Sequence, residues 1–407
     1  MSHSIENHTF LPRAEGIDPT MPLTVLHVLV PEPPGEVGGA DLHVIDLAAQ
    51  QVADGHRAMV VERGSTEFAD RVRETGLDVV SATGHSFLSA VRLLAQKITA
   101  TDADIIHAHG YDADYWAAAA RILYPRVFSG RPLVLTQHGV VDDTLWHKSK
   151  TALDVLCART ADGIIATAEN LVPRMRKWCP RGSVAYIPNG VRQLPRVPKQ
   201  EARVSLAERY GVPLAGELIA YVGRLSEEKA PERVLTLVAQ ARATGRKVHA
   251  LVVGSGPMDQ QLKSQADELG IADAVTFTGI VRDVETVYGA IDAFVLLSCT
   301  ETTSRVVIEA MTSGIPVVAS AVGGIPQLLD SGECGVLVPS GDENAALAGL
   351  IRVLDAPEPY IEPARHRALS SFAISTMGSG VEDFYSTLLA RHQRGVRTRS
   401  ATSGTEG

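Results

Sequence analysis

The chain has 407 residues, 45 % of them hydrophobic, and a formal net charge of -9. That length exceeds one ordinary core and suits two domains. The apolar content excludes a disordered chain, and the acidic balance argues against nucleic acid, which calls for a basic surface.

The first 21 residues, "MSHSIENHTFLPRAEGIDPTM", are polar and lack the apolar core of a secretory signal, so a loose tail is expected there. Strand-like apolar runs follow at 23–30, 57–62, 77–82, 104–109, 132–139, 163–168 and 183–190, most of them separated by helical patterns rich in Ala and Leu. Continuous apolar strands alternating with helices predict a parallel sheet covered on both faces. The alternation breaks at 192–205, "RQLPRVPKQEARVS", which reads as a linker entering a helix. It resumes with runs at 217–223, 248–254, 274–279, 293–298, 316–320 and 335–340. The expectation is two Rossmann-like, doubly wound α/β domains, 22–194 and 195–372. A last helix is expected at 373–395, followed by a loose tail at 396–407. Two such sheets would face a cleft with the carboxyl ends of their strands, where open sheets bind ligands.

Stretch 171–196 holds Arg174, Arg176, Lys177, Arg181, Arg192 and Arg196. It reads as a solvated face that also allows peripheral contact with anionic lipid. The four cysteines, Cys157, Cys179, Cys299 and Cys334, form no CxxC pair. Neither a zinc site nor a disulfide framework is expected from them, and a reducing, cytoplasmic setting fits. No apolar run is long enough to span a bilayer.

Candidate site residues sit at the predicted strand ends. Gly38 and Gly39 open a helix after the first strand, where free N–H groups suit phosphate or a sugar hydroxyl, or simply a tight turn. His138 ends the fifth strand, and His109, Tyr111 and Asp112 follow the fourth, as acceptor contacts or simply loop residues. In the second half Gly223 and Arg224 end a strand and Lys229 lies five residues past Arg224. An arginine fork and a lysine point charge on one loop can hold a diphosphate. Gly254 lies in "VVGSGPM", which lacks the third glycine of a dinucleotide fingerprint. In "SCTETTSRVVIEAMTSG" Glu301 stands in a loop and Glu309 in a helix among apolar neighbours. A carboxylate in that company calls for a partner. Glu309 can accept the paired hydroxyls of a ribose, and Glu301 those of a sugar.

Taken together, "GGADLHVIDLA", "IPNGV", "GRLSEEK", "VVGSGP", "FTGIVRD" and above all "ETTSRVVIEAMTSGIPVVASAVGGIPQLL" resemble glycosyltransferase family 4, the group 1 glycosyl transferases of GT-B fold. The resemblance implies a retaining, metal-independent transfer of a hexosyl group from a nucleoside diphosphate sugar to a hydroxyl, with no cofactor. UDP is the favoured nucleotide and GDP the second. It implies that Arg224 and Lys229 hold the diphosphate, Glu301 contacts the donor sugar, Glu309 binds the ribose, and His138 lies near the reacting sugar carbon. Gly38 and Gly39 would face donor phosphate and acceptor. The last helix would pack back on the first domain. The acceptor, whether saccharide, lipid-linked sugar or small natural product, and the oligomeric state are left open. An epimerase or phosphorylase of the same architecture, or a silent sugar-nucleotide binder, stays as an alternative.

Two departures from the family pattern bear on the site. The loop after Glu301 reads Thr302, Thr303, Ser304, Arg305 where relatives often carry a glycine or an aromatic residue, which puts a bulky cation in or beside the donor pocket. Ala230 and Pro231 follow Lys229 where relatives commonly have glycine.

Overall fold

A computed structural model describes residues 21–30, 38–62, 66–81, 86–139 and 145–402. The expected amino-terminal tail up to residue 20, most of the loop before Gly38, and the last five residues lie outside them. The chain forms two units, one of residues 1–190 with 374–407 and the other of residues 191–373. The first division falls four residues before the boundary expected at 194.

The first unit begins β1 (Thr24–Leu29), α1 (Gly39–Ala53), β2 (Arg57–Glu62), α2 (Thr66–Glu74), β3 (Asp78–Ser81), α3 (Phe87–Thr101) and β4 (Ile105–His109). It continues α4 (Tyr111–Leu123), β5 (Leu133–Gln137), α5 (Leu145–Ala158), β6 (Gly163–Ala166), α6 (Val172–Trp178) and β7 (Ser183–Tyr186). The seven strands lie in the order β3-β2-β1-β4-β5-β6-β7, and every pairing is parallel. Each of these strands falls within a predicted apolar run, because a strand buried on both faces needs apolar side chains at every position.

The second unit contains α7 (Lys199–Tyr210), β8 (Glu217–Val222), α8 (Glu232–Ala243), β9 (Val248–Val253), α9 (Asp259–Glu268), β10 (Val275–Gly279) and α10 (Val284–Ala290). Then come β11 (Ala293–Leu296), α11 (Arg305–Ser313), β12 (Val317–Ser320), α12 (Ile325–Leu328), β13 (Val336–Val338), α13 (Glu343–Asp355) and α14 (Glu358–Ser371). Its six parallel strands run β10-β9-β8-β11-β12-β13. One core serves this unit, with Tyr221, Phe294, Val307 and Val318 fully buried in it.

The last helix, α15, spans Ile374–Thr402 and belongs to the first unit. It passes residue 395, the expected stop, because no proline or glycine interrupts the sequence from 396 to 402. Its Val381, Phe384 and Leu388 pack with Val25, Ile105 and Ile165 on one face of the seven-stranded sheet. Contact is close enough that a Cβ on Gly163 would lie 2.7 Å from the Phe384 ring. Among the described residues no helix is long and apolar enough to cross a membrane, and all four cysteines are free.

Candidate active site

In an open parallel sheet the crevice forms where strand order reverses, beyond the strands' carboxyl ends. In the second unit that point lies between β8 and β11, with β9 and β12 on their outer sides. Lys229 follows β8 in a short 3-10 turn, Glu227–Lys229, and Glu301 follows β11. Their side chains meet, with Lys229 Nζ 2.8 Å from Glu301 Oε1. Ser298 donates its hydroxyl to the same oxygen at 2.9 Å. The Glu301 side chain is only 5 % exposed, whereas that of Lys229 is 30 % exposed. The carboxylate is thus fixed from below while the ammonium keeps an open side.

Backbone contacts lock these loops together. Cys299 donates its N–H to Glu228 O at 2.9 Å. Gly324 donates to Thr302 O at 2.9 Å, which brings the glycine pair after β12 against the Glu301 loop. A Cβ on Gly323, whose φ is +55°, would stand 1.5 Å from Glu301 O. Gly254, at φ +137°, lies against Gly223, where a Cβ would come within 1.9 Å of the Gly223 carbonyl. At these two positions glycine is required by close backbone approach. Arg224 follows Gly223 directly, and its carbonyl accepts the Tyr221 hydroxyl at 2.6 Å. Burial, then Glu301, Glu228 and Glu232, push the Tyr221 phenol up, so it stays a neutral donor.

Glu309 lies in α11, 8 % exposed. The Tyr288 hydroxyl donates to its Oε2 at 3.1 Å, and Arg305 Nη2 lies 3.6 Å from its Oε1. These two residues are the partners that a carboxylate among apolar neighbours demands. Arg305, expected in or beside the donor pocket, stands one helical turn before Glu309 and is paired with it. Tyrosine and arginine take two of the roughly four lone-pair directions that a carboxylate offers. Ser304 is the helix N-cap residue and is buried, while Thr302 and Thr303 are partly buried in the loop before it.

The first unit has its own reversal point, between β1 and β4. Parallel register pairs His27 with His107 and Leu29 with His109. Alternate side chains share a face, so the imidazoles of 27, 107 and 109 gather on one side of the sheet. All three are buried, at 1 % exposure or less. His107 Nδ1 meets the Tyr385 hydroxyl at 2.6 Å and its Nε2 meets the Thr136 hydroxyl at 2.6 Å. His27 bonds Gln51 Oε1 through Nε2 at 2.7 Å and His109 Nε2 through Nδ1 at 3.0 Å. Burial pushes the His27 imidazole down to about 4. It also holds those of His107 and His109 well below the usual range, helped by the neighbouring histidines. All three are therefore neutral near pH 7.

His138 follows β5 and is partly buried, with His43 of α1 edge-on to it at 4.7 Å between ring centroids. His109, named as an acceptor contact, has almost no exposed surface. Tyr111 is partly buried at the start of α4 and donates its hydroxyl to Gly139 O at 3.1 Å, while Asp112 beside it is exposed. Gly38 and Gly39 are exposed at the start of α1. The Gly38 N–H, expected to face phosphate, donates instead to Asp41 Oδ2 at 2.7 Å, because an acid three residues into a helix reaches back to the N-cap.

Lys229 and Glu301 were thus named from the sequence and meet directly, Gly223 and Arg224 share the loop of Lys229, and Gly254, in the loop after β9, packs against Gly223. Ser298, Tyr221 and Tyr288 were not named. Ser298 ends an apolar run and both tyrosines lie inside buried segments, so composition gives them no mark.

A family model described as "Glycosyl transferases group 1" matches residues 205–368, and one described as "Glycosyltransferase Family 4" matches residues 37–192. A D-inositol 3-phosphate glycosyltransferase of Streptomyces avermitilis is 27 % identical over 402 residues, covering 89 % of this chain and 86 % of that protein. A 2-deoxystreptamine glucosyltransferase of Streptomyces kanamyceticus is 29 % identical over 278 residues, covering 65 % of this chain and 71 % of its own. Among solved structures, Anabaena Alr3699/HepE in complex with UDP-glucose superposes with a TM-score of 0.78 at 23 % identity, over 90 % of this chain and 100 % of that one.

Proposed function

Because this chain belongs to the group 1 glycosyl transferases of glycosyltransferase family 4, we propose which transfer it performs. It moves a hexosyl group from a UDP-sugar to a hydroxyl of a small ring polyol, retains the anomeric configuration and uses no metal ion. The observation that carries this reading is the Lys229–Glu301 pair at the reversal point of the second sheet.

Glycosyl transfer builds positive charge at the sugar ring and negative charge on the departing diphosphate. Lys229 meets the second charge with a donor that Glu301 holds in place before the reaction, which lowers the reorganisation needed in the transition state, and Arg224, exposed just past the end of β8, supplies a second cation. Glu301 accepts sugar hydroxyls, and Glu309, held by Tyr288 and Arg305, accepts the ribose hydroxyls. The bond from the anomeric carbon to the diphosphate oxygen breaks as the acceptor oxygen approaches the same face. The acceptor proton passes to the departing phosphate oxygen. No side chain need form a covalent intermediate. The roles of His138 toward the sugar, and of Gly38 and Gly39 toward donor phosphate and acceptor, rest on the family resemblance, whereas Tyr111 and Asp112 are acceptor candidates by their place after the fourth strand alone.

The UDP assignment draws support from the Anabaena neighbour described with UDP-glucose. The acceptor class draws support from relatives named for inositol 3-phosphate and 2-deoxystreptamine, both six-membered carbocyclic polyols. The test is incubation with UDP-glucose or UDP-N-acetylglucosamine and each of these acceptors, in the presence of EDTA. The expected result is UDP release matched by one glycoside with the donor's anomeric configuration. Interconversion of the donor sugar without an acceptor would show an epimerase, and nucleotide binding with no product from any pair would show a silent binder.

A further inference from the structure

We propose that His43, His109 and His138 of the first unit form a binding site for one divalent transition-metal ion of the zinc class. One ring nitrogen from each of the three lies within 4.8 Å of the others. Zinc held by imidazoles at about 2.0–2.1 Å sets its ligand atoms roughly 3.3 Å apart in a tetrahedron. Ring rotations moving these atoms by about an ångström close the set.

Hydrogen bonding fixes which nitrogen His109 presents. Gln51 Oε1 can only accept, so His27 Nε2 carries its proton. Neutral His27 then has a bare Nδ1, and His109 Nε2 must donate to it. Neutral His109 is left with a bare lone pair on Nδ1, an atom that is buried and has no hydrogen-bond partner. That is the arrangement found behind metal-bound histidines, whose other ring N–H is held by an outer partner that fixes the tautomer. An ion on Nδ1 would satisfy the imidazole lone pair that the His27–Gln51 relay leaves buried without a partner.

The neighbouring trio His27, His107 and His109 also brings its nitrogens within 4.8 Å. It is the poorer candidate. His107 spends both nitrogens on Tyr385 and Thr136, and His27 spends both on Gln51 and His109. By contrast His138 is only partly buried, which gives an ion a way in. Three imidazoles with no thiolate or carboxylate suit zinc, cobalt, nickel or copper and not magnesium or calcium. A bound ion would tie α1 to the ends of β4 and β5, so it should stabilise the first unit.

The test uses the untagged full chain, stripped with EDTA and titrated with CoCl2 and then ZnCl2. One equivalent of Co2+ should give the intense visible bands of a four-coordinate ion. Zn2+ should displace it and raise the thermal unfolding midpoint, with reversal by EDTA. His43→Phe and His138→Gln should each weaken binding by at least the roughly 100-fold that outer-shell losses can reach. His249→Asn, in the second unit, should bind as the parent does. A pale six-coordinate cobalt spectrum with no midpoint shift would overturn the proposal. So would unchanged binding in both folded variants.

Discussion

Lys229 Nζ and Glu301 Oε1 stand 2.8 Å apart although 72 residues separate them in sequence. The pair links the first loop of the second unit's sheet to the loop across its reversal point. Glu301→Gln keeps the shape and removes the charge. Charge-assisted hydrogen bonds are worth about 1.5–3 kcal/mol, so kcat/KM should fall about 10- to 100-fold. Steady-state assay of released nucleotide, alongside an unchanged circular dichroism spectrum, checks this.

Gly323→Ala would drive a methyl group into the Glu301 carbonyl, 1.5 Å from the ideal Cβ position. The loop must shift, and Glu301 with it. A loss of about 3 kcal/mol in stability is expected, with a larger fall in activity than in Tm would suggest. Urea unfolding and the nucleotide-release assay measure the two effects separately.

Ala230, the residue after Lys229, sits in the left-handed region at φ 47° and ψ 50°, fully buried. An alanine there costs about 1–2 kcal/mol over glycine, offset in part by the extra freedom glycine gains in the unfolded chain. Ala230→Gly should therefore raise stability by up to about 1 kcal/mol. A lower urea midpoint in that variant would contradict the strain.

Asp162 anchors the first unit. It accepts from Leu133 N at 2.8 Å and Arg121 Nη2 at 2.9 Å, and His392 of α15 lies 3.2 Å away. Burial alone would push its carboxyl up, but the bonds from His392, Arg121 and Leu133 hold it at about 2, below its ordinary 3.8. A depressed carboxylate gives stability that is present above pH 3.8 and lost as pH falls through 2. Asp162→Asn should cost about 2–3 kcal/mol at pH 7 and flatten the stability loss between pH 4 and 2. Denaturant midpoints across that range are the readout.

The strands were legible because buried parallel strands are short apolar runs bounded by glycine, proline and charge. The strands Arg57–Glu62, Asp78–Ser81, Glu217–Val222 and Val248–Val253 begin and end within about a residue of the runs read from sequence, whereas Gly163–Ala166 and Ser183–Tyr186 stop two and four residues short of theirs. Glu301 and Lys229 were legible because each trails a strand, and strand ends are where such sheets bind. The partners of Glu309 were not. Tyr288 lies 21 residues earlier in α10, and only packing brings it to the carboxylate. The left-handed turn at Ala230 was hidden for a different reason, since alanine carries no preference for that conformation. Nor could the histidine group be read, because residues 27 and 107 become neighbours only through strand register.

The central claim is that Lys229, beside Glu301, grips the diphosphate of the donor. Calorimetric titration of the parent and of Lys229→Met with UDP and with UMP tests it most directly. The parent should bind UDP at least about tenfold more tightly than UMP, the worth of one charge-assisted contact, and that preference should shrink toward unity in Lys229→Met. If the folded variant keeps the parent's ratio, the second phosphate is held elsewhere and the assignment of this site is wrong.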